Sequence, residues 1–298
     1  MRLVVVNVLA VAVAAAATRF AMQRLIPNAP LRRSNYRGVP VATGLGIAVF
    51  AGFVVACGVL ALLSEISAGW VAPGVWILPL AAGGVFGLLG LFDDAASALT
   101  PDADKGLRGH THALSGGRLT SGALKMVAGS AAGFALAAPA TEGFAFALAG
   151  GAIIAMSAHV MNAFDLRPGR AAKLFVAGAI PLAIVAGPLR AVVFAAIGAV
   201  IAALPDDLRE RAMLGDAGAG ALGAIAGSTA LLISTRTTLL ITLAVLAVLT
   251  VIAEGPTISR MIERVPFLRA ADRWGRVPEP TRYPQPPASI SGTADDNS

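Results

Sequence analysis

Charge is scarce in this chain: Asp, Glu, Lys and Arg make up 13% of its 298 residues, against roughly a quarter in soluble domains. With 56% hydrophobic residues and a mean hydropathy of +0.76, a soluble globular domain is excluded and an integral membrane protein is expected. Cysteine is nearly missing as well. The single Cys57 lies inside an apolar run, which excludes a disulfide framework and a Cys/His metal cluster and leaves it as a small packing residue. Histidine occurs only as His110, His112 and His159. His159 is the one ionisable residue well inside an apolar run, which argues against a transporter with a charged site at mid-membrane.

What is present is a series of apolar runs. They cover Leu3–Ala17, Val41–Leu63, Val75–Phe92, Ser121–Ala138, Phe144–Phe164, Leu174–Ala186, Val192–Leu204, Ala217–Ser234 and Thr237–Ala253. A span needs roughly 20 apolar residues, so these runs predict an all-α, polytopic transmembrane bundle of about nine helices, the sixth and seventh being short. The first run, which follows Met1-Arg2, has some likeness to a secretory signal, but eight further runs follow it and an uncleaved span is expected. If the N-terminus is outside, all but Arg2, Arg190 and Arg236 of the 23 basic residues fall on the cytoplasmic side, as the positive-inside rule requires. The net charge of +6 is then a matter of membrane orientation, and no nucleic-acid partner is implied. Of the acids, only Glu65 and Glu142 fall outside. The working face is therefore expected to be cytoplasmic.

Helices rich in Gly and Ala, such as the one containing Ala217-Gly218-Ala219-Gly220-Ala221, predict close helix packing in lipid. The chain divides into a membrane domain over residues 1–254, an amphipathic cytoplasmic segment over 255–276 and a Pro-rich tail over 277–298. In the middle segment Ile258, Met261, Ile262, Val265, Phe267 and Leu268 alternate with arginines, and a surface helix on the inner leaflet is expected. The tail has the composition of a disordered segment. The oligomeric state is not legible.

Three cytoplasmic stretches carry acids to helix ends: Asp93-Asp94, Asn162-Ala163-Phe164-Asp165 and Leu214-Gly215-Asp216-Ala217-Gly218. Mg²⁺ takes oxygen ligands, keeps several waters and pairs with substrate phosphates, so acids meeting at a water–lipid boundary predict a Mg²⁺–phosphate site. Lys105, Arg108, Arg118, Lys125, Arg167, Arg170 and Lys173 surround these stretches and are expected to neutralise phosphate charge. Taken singly, each feature has a plainer explanation. An Asp at a helix end caps it, and a loop arginine sets orientation. The joint pattern carries the argument.

These stretches resemble the cytoplasmic signatures of the polyprenyl-phosphate N-acetylhexosamine-1-phosphate transferases, the family that includes phospho-N-acetylmuramoyl-pentapeptide transferase of peptidoglycan synthesis. The resemblance is carried by Gly90-Leu91-Phe92-Asp93-Asp94, by Asn162 to Gly169, by Met213 to Gly218, and by Asn35 to Pro40 with Thr43-Gly44 upstream. It implies transfer of a sugar-1-phosphate from a nucleotide sugar of the UDP-N-acetylhexosamine type to a polyprenyl phosphate. The reaction would run at the inner face of the plasma membrane, for cell-wall or surface glycan synthesis. It implies Mg²⁺ with Asp216 as metal ligand, and Asp93 and Asp94 as the pair that binds or activates the lipid phosphate. The placement of the residues themselves adds Asp94 as a second metal ligand, Asp165 as a further catalytic carboxylate, and Lys105, Arg108, Lys125, Arg167 and Arg170 as phosphate-binding residues. Asn162, His110 and His112 would contact substrate.

The chain also departs from that family. Pro168 and Ala171 stand where acids near the nucleotide are expected, and Asp165 stands where the second Asn is expected. The last-loop histidine cluster is absent, and nine helices rather than ten are expected. Altered or lost nucleotide recognition follows from the first departure. A second reading is a catalytically weak homologue that binds polyprenyl phosphate or a partner as a scaffold. The four acids at helix ends favour the enzyme.

Overall fold

In lipid, a backbone can satisfy its own N–H and C=O groups by coiling into helices, and the apolar runs do so. This computed structural model describes residues 1–29, 32–66, 69–99, 121–253 and 257–278. Its helices are α1 (Arg2–Leu25), α2 (Leu45–Ile66), α3 (Ile77–Leu99), α4 (Ser121–Ala137), α5 (Phe144–Phe164), α6 (Arg170–Val185), α7 (Arg190–Leu208), α8 (Gly215–Ile233) and α9 (Arg236–Ala253). Two short helices follow, α10 (Thr257–Arg264) and α11 (Pro266–Arg273). Eight of these, α1 to α5 and α7 to α9, are long and apolar enough to cross a membrane.

The exception is α6. It has 16 residues with Pro181 inside it, and at 1.5 Å per residue it rises only roughly 24 Å, short of a hydrocarbon core of about 30 Å. The Gly169 N–H at its start donates to Asp207 at the far end of α7 (3.0 Å), and the 3-10 turn Gly187–Leu189 joins the opposite ends. The two helices therefore run antiparallel.

The bundle is organised on α8, the most buried of the long helices, which packs most extensively on α3 and α5. Leu222 and Ile225 face a core with Phe53 of α2, Phe175 of α6 and Val192 and Val200 of α7. Ala224 and Leu231 face a second core with Phe86 of α3 and Ile153 and Ile154 of α5. The helix can serve two cores because its residues are small, letting neighbours approach on every side. By contrast α9 presents Ile241, Val245 and Val248 outward, the surface expected toward lipid.

Two features differ from the sequence expectation. A two-stranded antiparallel hairpin, β1 (Arg32–Ser34) and β2 (Pro40–Ala42), precedes α2, with Arg33 opposite Val41. Asn35 shapes its turn by accepting from the Arg37 and Val39 N–H groups (2.9 and 3.0 Å). Ala42 bridges Ala212, Met213 N–H donates to Ala42 O (2.8 Å), and Gly46 N–H donates to Leu214 O (3.1 Å). The hairpin is thereby fixed to the loop that starts α8.

The second difference is at the C-terminal side, where α10 and α11 pack on protein. Ile258 and Ile262 are buried against Ala253, Ala163 and Phe164, while Phe267 and Trp274 point outward. These helices form a strap across one end of the bundle. Most of the Pro-rich tail, residues 279–298, lies outside the described residues.

Candidate functional site

The end of the bundle where α3, α5 and α7 finish and α8 begins gathers the carboxylates. The sequence ends the third span at Phe92 and puts Asp93 and Asp94 in a loop; instead α3 continues to Leu99 and both lie within it. Ala95 and Ala96 are good helix formers and extend it. Neighbours on a helix point about 100° apart, so the pair divides. Asp94 is 1% exposed and faces α8, whereas Asp93 is 17% exposed and faces α4.

Asp94 Oδ2 accepts from the Ala217 N–H (3.2 Å) in the first turn of α8, where backbone donors are unpaired and the helix dipole is positive. Its Oδ1 accepts from Arg33 Nη1 (2.7 Å). Gly215 makes this possible: it adopts φ +69, and a Cβ there would stand 3.0 Å from Asp94 Oδ2. At Gly90 a Cβ would collide with the Asp216 backbone, so this glycine lets α3 approach α8 closely enough to bring both acids to the site.

Asp216 lies between two cations. Its Oδ2 accepts from Lys125 Nζ of α4 (2.5 Å) and from Asn162 Nδ2 of α5 (3.0 Å), and its Oδ1 is 4.0 Å from Arg33 Nη1. Lys125 also reaches Asp93 Oδ2 at 3.3 Å. Asn162 Oδ1 is buried without a hydrogen-bond partner.

Asp165, just past the end of α5, is half-buried. Burial first, and then the negative charges of Asp207, Asp216 and Asp94, hold its acid well above the usual carboxylate range, against an opposing hydrogen bond from the Gly215 backbone. It lines a narrow recess of about 40 Å³ with Asn35, Tyr36, Arg167, Asp207 and Glu210. Arg167 stacks over the Tyr36 ring at 4.4 Å, a favourable cation–π geometry.

Arg170 requires a correction. Expected at a phosphate, it is 5% exposed and forms a two-pronged pair with Asp272 of α11 (2.7 and 3.1 Å), with Ser259 Oγ at 3.1 Å. Two of its faces are thus filled by the strap, because a buried guanidinium needs partners. Arg276 reinforces the arrangement through Asp272 (2.5 Å) and Pro168 O (2.9 Å). Lys173 donates to the carbonyls of Ala271, Asp272 and Trp274. Lys105, Arg108, His110, His112 and Arg118 lie outside the described residues.

Of the sequence-derived set, Asp93, Asp94, Asp216, Lys125 and Asn162 form one cluster. Asp165 and Arg167 border it, and Arg170 stands apart. Sequence reasoning missed Arg33, which it counted only as a loop cation, and Asp272. Neither carries a local signal, since each partner is 61 or 102 residues away.

Among the described residues, no group of three or more His, Cys, Asp or Glu side chains is arranged to hold an ion. The donor chemistry nevertheless suits Mg²⁺, which binds through one or two carboxylates together with substrate phosphates. Asp93 and Asp216 are the partly open carboxylates, and the buried Asn162 Oδ1 is an oxygen in want of a partner. Asp94, expected as a ligand, has both oxygens occupied. No protein-family model matches the chain, and no curated protein matches it.

Proposed function

We propose that this membrane protein is a Mg²⁺-dependent phosphotransferase that moves a sugar-1-phosphate from a nucleotide sugar to a polyprenyl phosphate, for cell-wall or surface glycan synthesis. The observation that carries the reading is the convergence of Asp93, Lys125, Asn162 and Asp216 from four separate helices at one end of the bundle. On this reading the chain crosses the plasma membrane nine times with its N-terminus outside, α6 included, and the site is cytoplasmic. The positive-inside rule supports that orientation.

A phosphate monoester is already largely dianionic near neutral pH, so it needs little help from a base. The barrier falls chiefly through positioning and charge neutralisation. Asp93, Asp216 and Asn162 Oδ1 would hold Mg²⁺. When bound, it would supply Lewis-acid neutralisation of the donor diphosphate. Lys125 would provide the counter-charge between Asp93 and Asp216. The narrow recess between Arg167, Tyr36 and Asp165 borders this cluster, and Arg167 at its rim would face the donor nucleotide. With Pro168 and Ala171 in place of acids, discrimination of the base is expected to be altered.

One observation favours the second reading, a lipid-phosphate-binding scaffold without turnover. Lys125 and Arg33 already pair with the three acids, as in a site that rests ion-paired. Incubation of purified protein with Mg²⁺, polyprenyl phosphate and a panel of nucleotide sugars tests the two. Release of nucleoside monophosphate is expected from at least one donor. Lipid binding with no release from any donor would establish the scaffold instead.

A further inference from the structure

The cluster contains one cation whose carrier is not a membrane helix. Arg33 sits on β1, and its strand is held by the pairing with β2 and by the Ala42–Ala212 bridge to the loop before α8. From there one guanidinium nitrogen, Nη1, reaches both Asp94 Oδ1 (2.7 Å) and Asp216 Oδ1 (4.0 Å), and 36% of the side chain stays exposed. A guanidinium has five N–H donors in a planar fork that matches the oxygens of a phosphate. The carboxylates engage it through one nitrogen.

We propose that Arg33 is the anion-receiving arm of the site: it binds the phosphate of the acceptor lipid through the open edge of its guanidinium, and Asp94 is the residue that orients it. The inference rests on the functional reading above and adds to it the recognition of the acceptor headgroup. Asp94 is suited to orient because it is buried, carries no free oxygen and is itself held by the start of α8. Asp216 stands between Arg33 on one oxygen and Lys125 on the other. A phosphate arriving beside Asp216 therefore meets positive charge from two directions, which offsets the repulsion of the carboxylates. Residence on a two-stranded hairpin outside the helices lets the arm reach the headgroup from the water side while the isoprenoid remains in lipid.

Binding of farnesyl phosphate, with farnesol as the phosphate-free control, to the full chain in detergent micelles tests the assignment. Arg33→Gln is expected to weaken farnesyl phosphate binding by about ten- to hundredfold, the loss of a charged hydrogen-bond partner, and to leave farnesol binding unchanged. Arg33→Lys keeps the charge without the fork and is expected to fall between. It also serves if the Gln variant fails to fold. Asp94→Asn, which leaves the Arg33 guanidinium in place and weakens its anchoring, is expected to weaken farnesyl phosphate binding less than Arg33→Gln does, compared on folded protein. Equal farnesyl phosphate affinity in wild type, Arg33→Gln and Arg33→Lys would overturn the role of Arg33 and leave the transferase reading standing. A wild type that binds farnesyl phosphate no better than farnesol would overturn both.

Discussion

Asp93 and Asp94 are adjacent in sequence and unlike in circumstance. Asp94 is enclosed, with one oxygen on Arg33 and the other on the first turn of α8; Asp93 is partly open and shares Lys125 with Asp216. Asp94→Asn is expected to destabilise the protein by about 1.5 to 3 kcal/mol, the worth of hydrogen bonds to a charged group. Asp93→Asn should cost less, because Asp216 continues to hold Lys125 at 2.5 Å. Thermal melts in one detergent compare the two, and equal losses would contradict the division of labour. Asp216→Asn keeps size and hydrogen bonding but removes the charge between Lys125 and Arg33. It is expected to cut Mg²⁺-dependent turnover by about a hundredfold or more while the melt stays within a few degrees of wild type. Unchanged turnover would exclude Asp216 from the chemistry. These residues were legible in sequence because acids at the ends of apolar runs stand out against so little charge. Which oxygen faces which cation was not legible, since that depends on helix rotation and on Gly90 letting α3 press against α8.

At the scale of elements, the long helices were legible because burial in lipid writes their length directly into composition. The hairpin was not: its strands have three residues each, too few for a period-2 pattern, and their position depends on Ala212, 170 positions beyond Ala42. The strap was half legible. Its amphipathicity was visible in the alternation of apolar residues and arginines, but its docking depends on a pair of charges 102 residues apart. Burial raises the Asp272 acid, yet the hydrogen bonds and charge of Arg170, with Arg276 beyond it, outweigh burial and bring it below the usual range. A carboxylate held below its unfolded value contributes its stability fully above about pH 4 and loses it as pH falls through the lower folded value. Tryptic cleavage at the exposed Arg260 and Arg264 should therefore be insensitive to a change from about pH 8 to about pH 6 through this group. At about pH 7, Asp272→Asn leaves Arg170 buried without a charged partner, a loss of about 3 kcal/mol or more. Cleavage should then be at least about tenfold faster. Equal rates in variant and wild type would show that Asp272 does not hold the strap.

For the whole molecule the open quantity is the passage of α6, because it decides whether the two ends of the chain lie on opposite sides. Eight crossings would return the C-terminal strap to the side of the N-terminus, and nine would separate them. Length alone argues against α6 as a span. Its pairing argues for one: its start is bonded to the end of α7, and α7 is long enough to cross. A short helix held antiparallel to a full span can complete its crossing by local thinning of the bilayer, at a cost of fractions of a kcal/mol per Å of mismatch. The positive-inside rule agrees, since Arg190 alone lies between α6 and α7 whereas Arg167, Arg170 and Lys173 precede α6. Single cysteines test this cleanly because Cys57 is buried and gives no background. Glu142→Cys, Pro188→Cys and Trp274→Cys are all at exposed positions. In intact cells a membrane-impermeant maleimide is expected to label the first two, and to label the third only after permeabilisation. Labelling of Pro188→Cys only after permeabilisation, with Trp274→Cys labelled from outside, would mean that α6 does not cross; Asp216 and the strap would then lie outside while Asp93, Asp94 and Lys125 stay cytoplasmic, which is incompatible with the contacts that join Asp216 to Lys125 and Asn162.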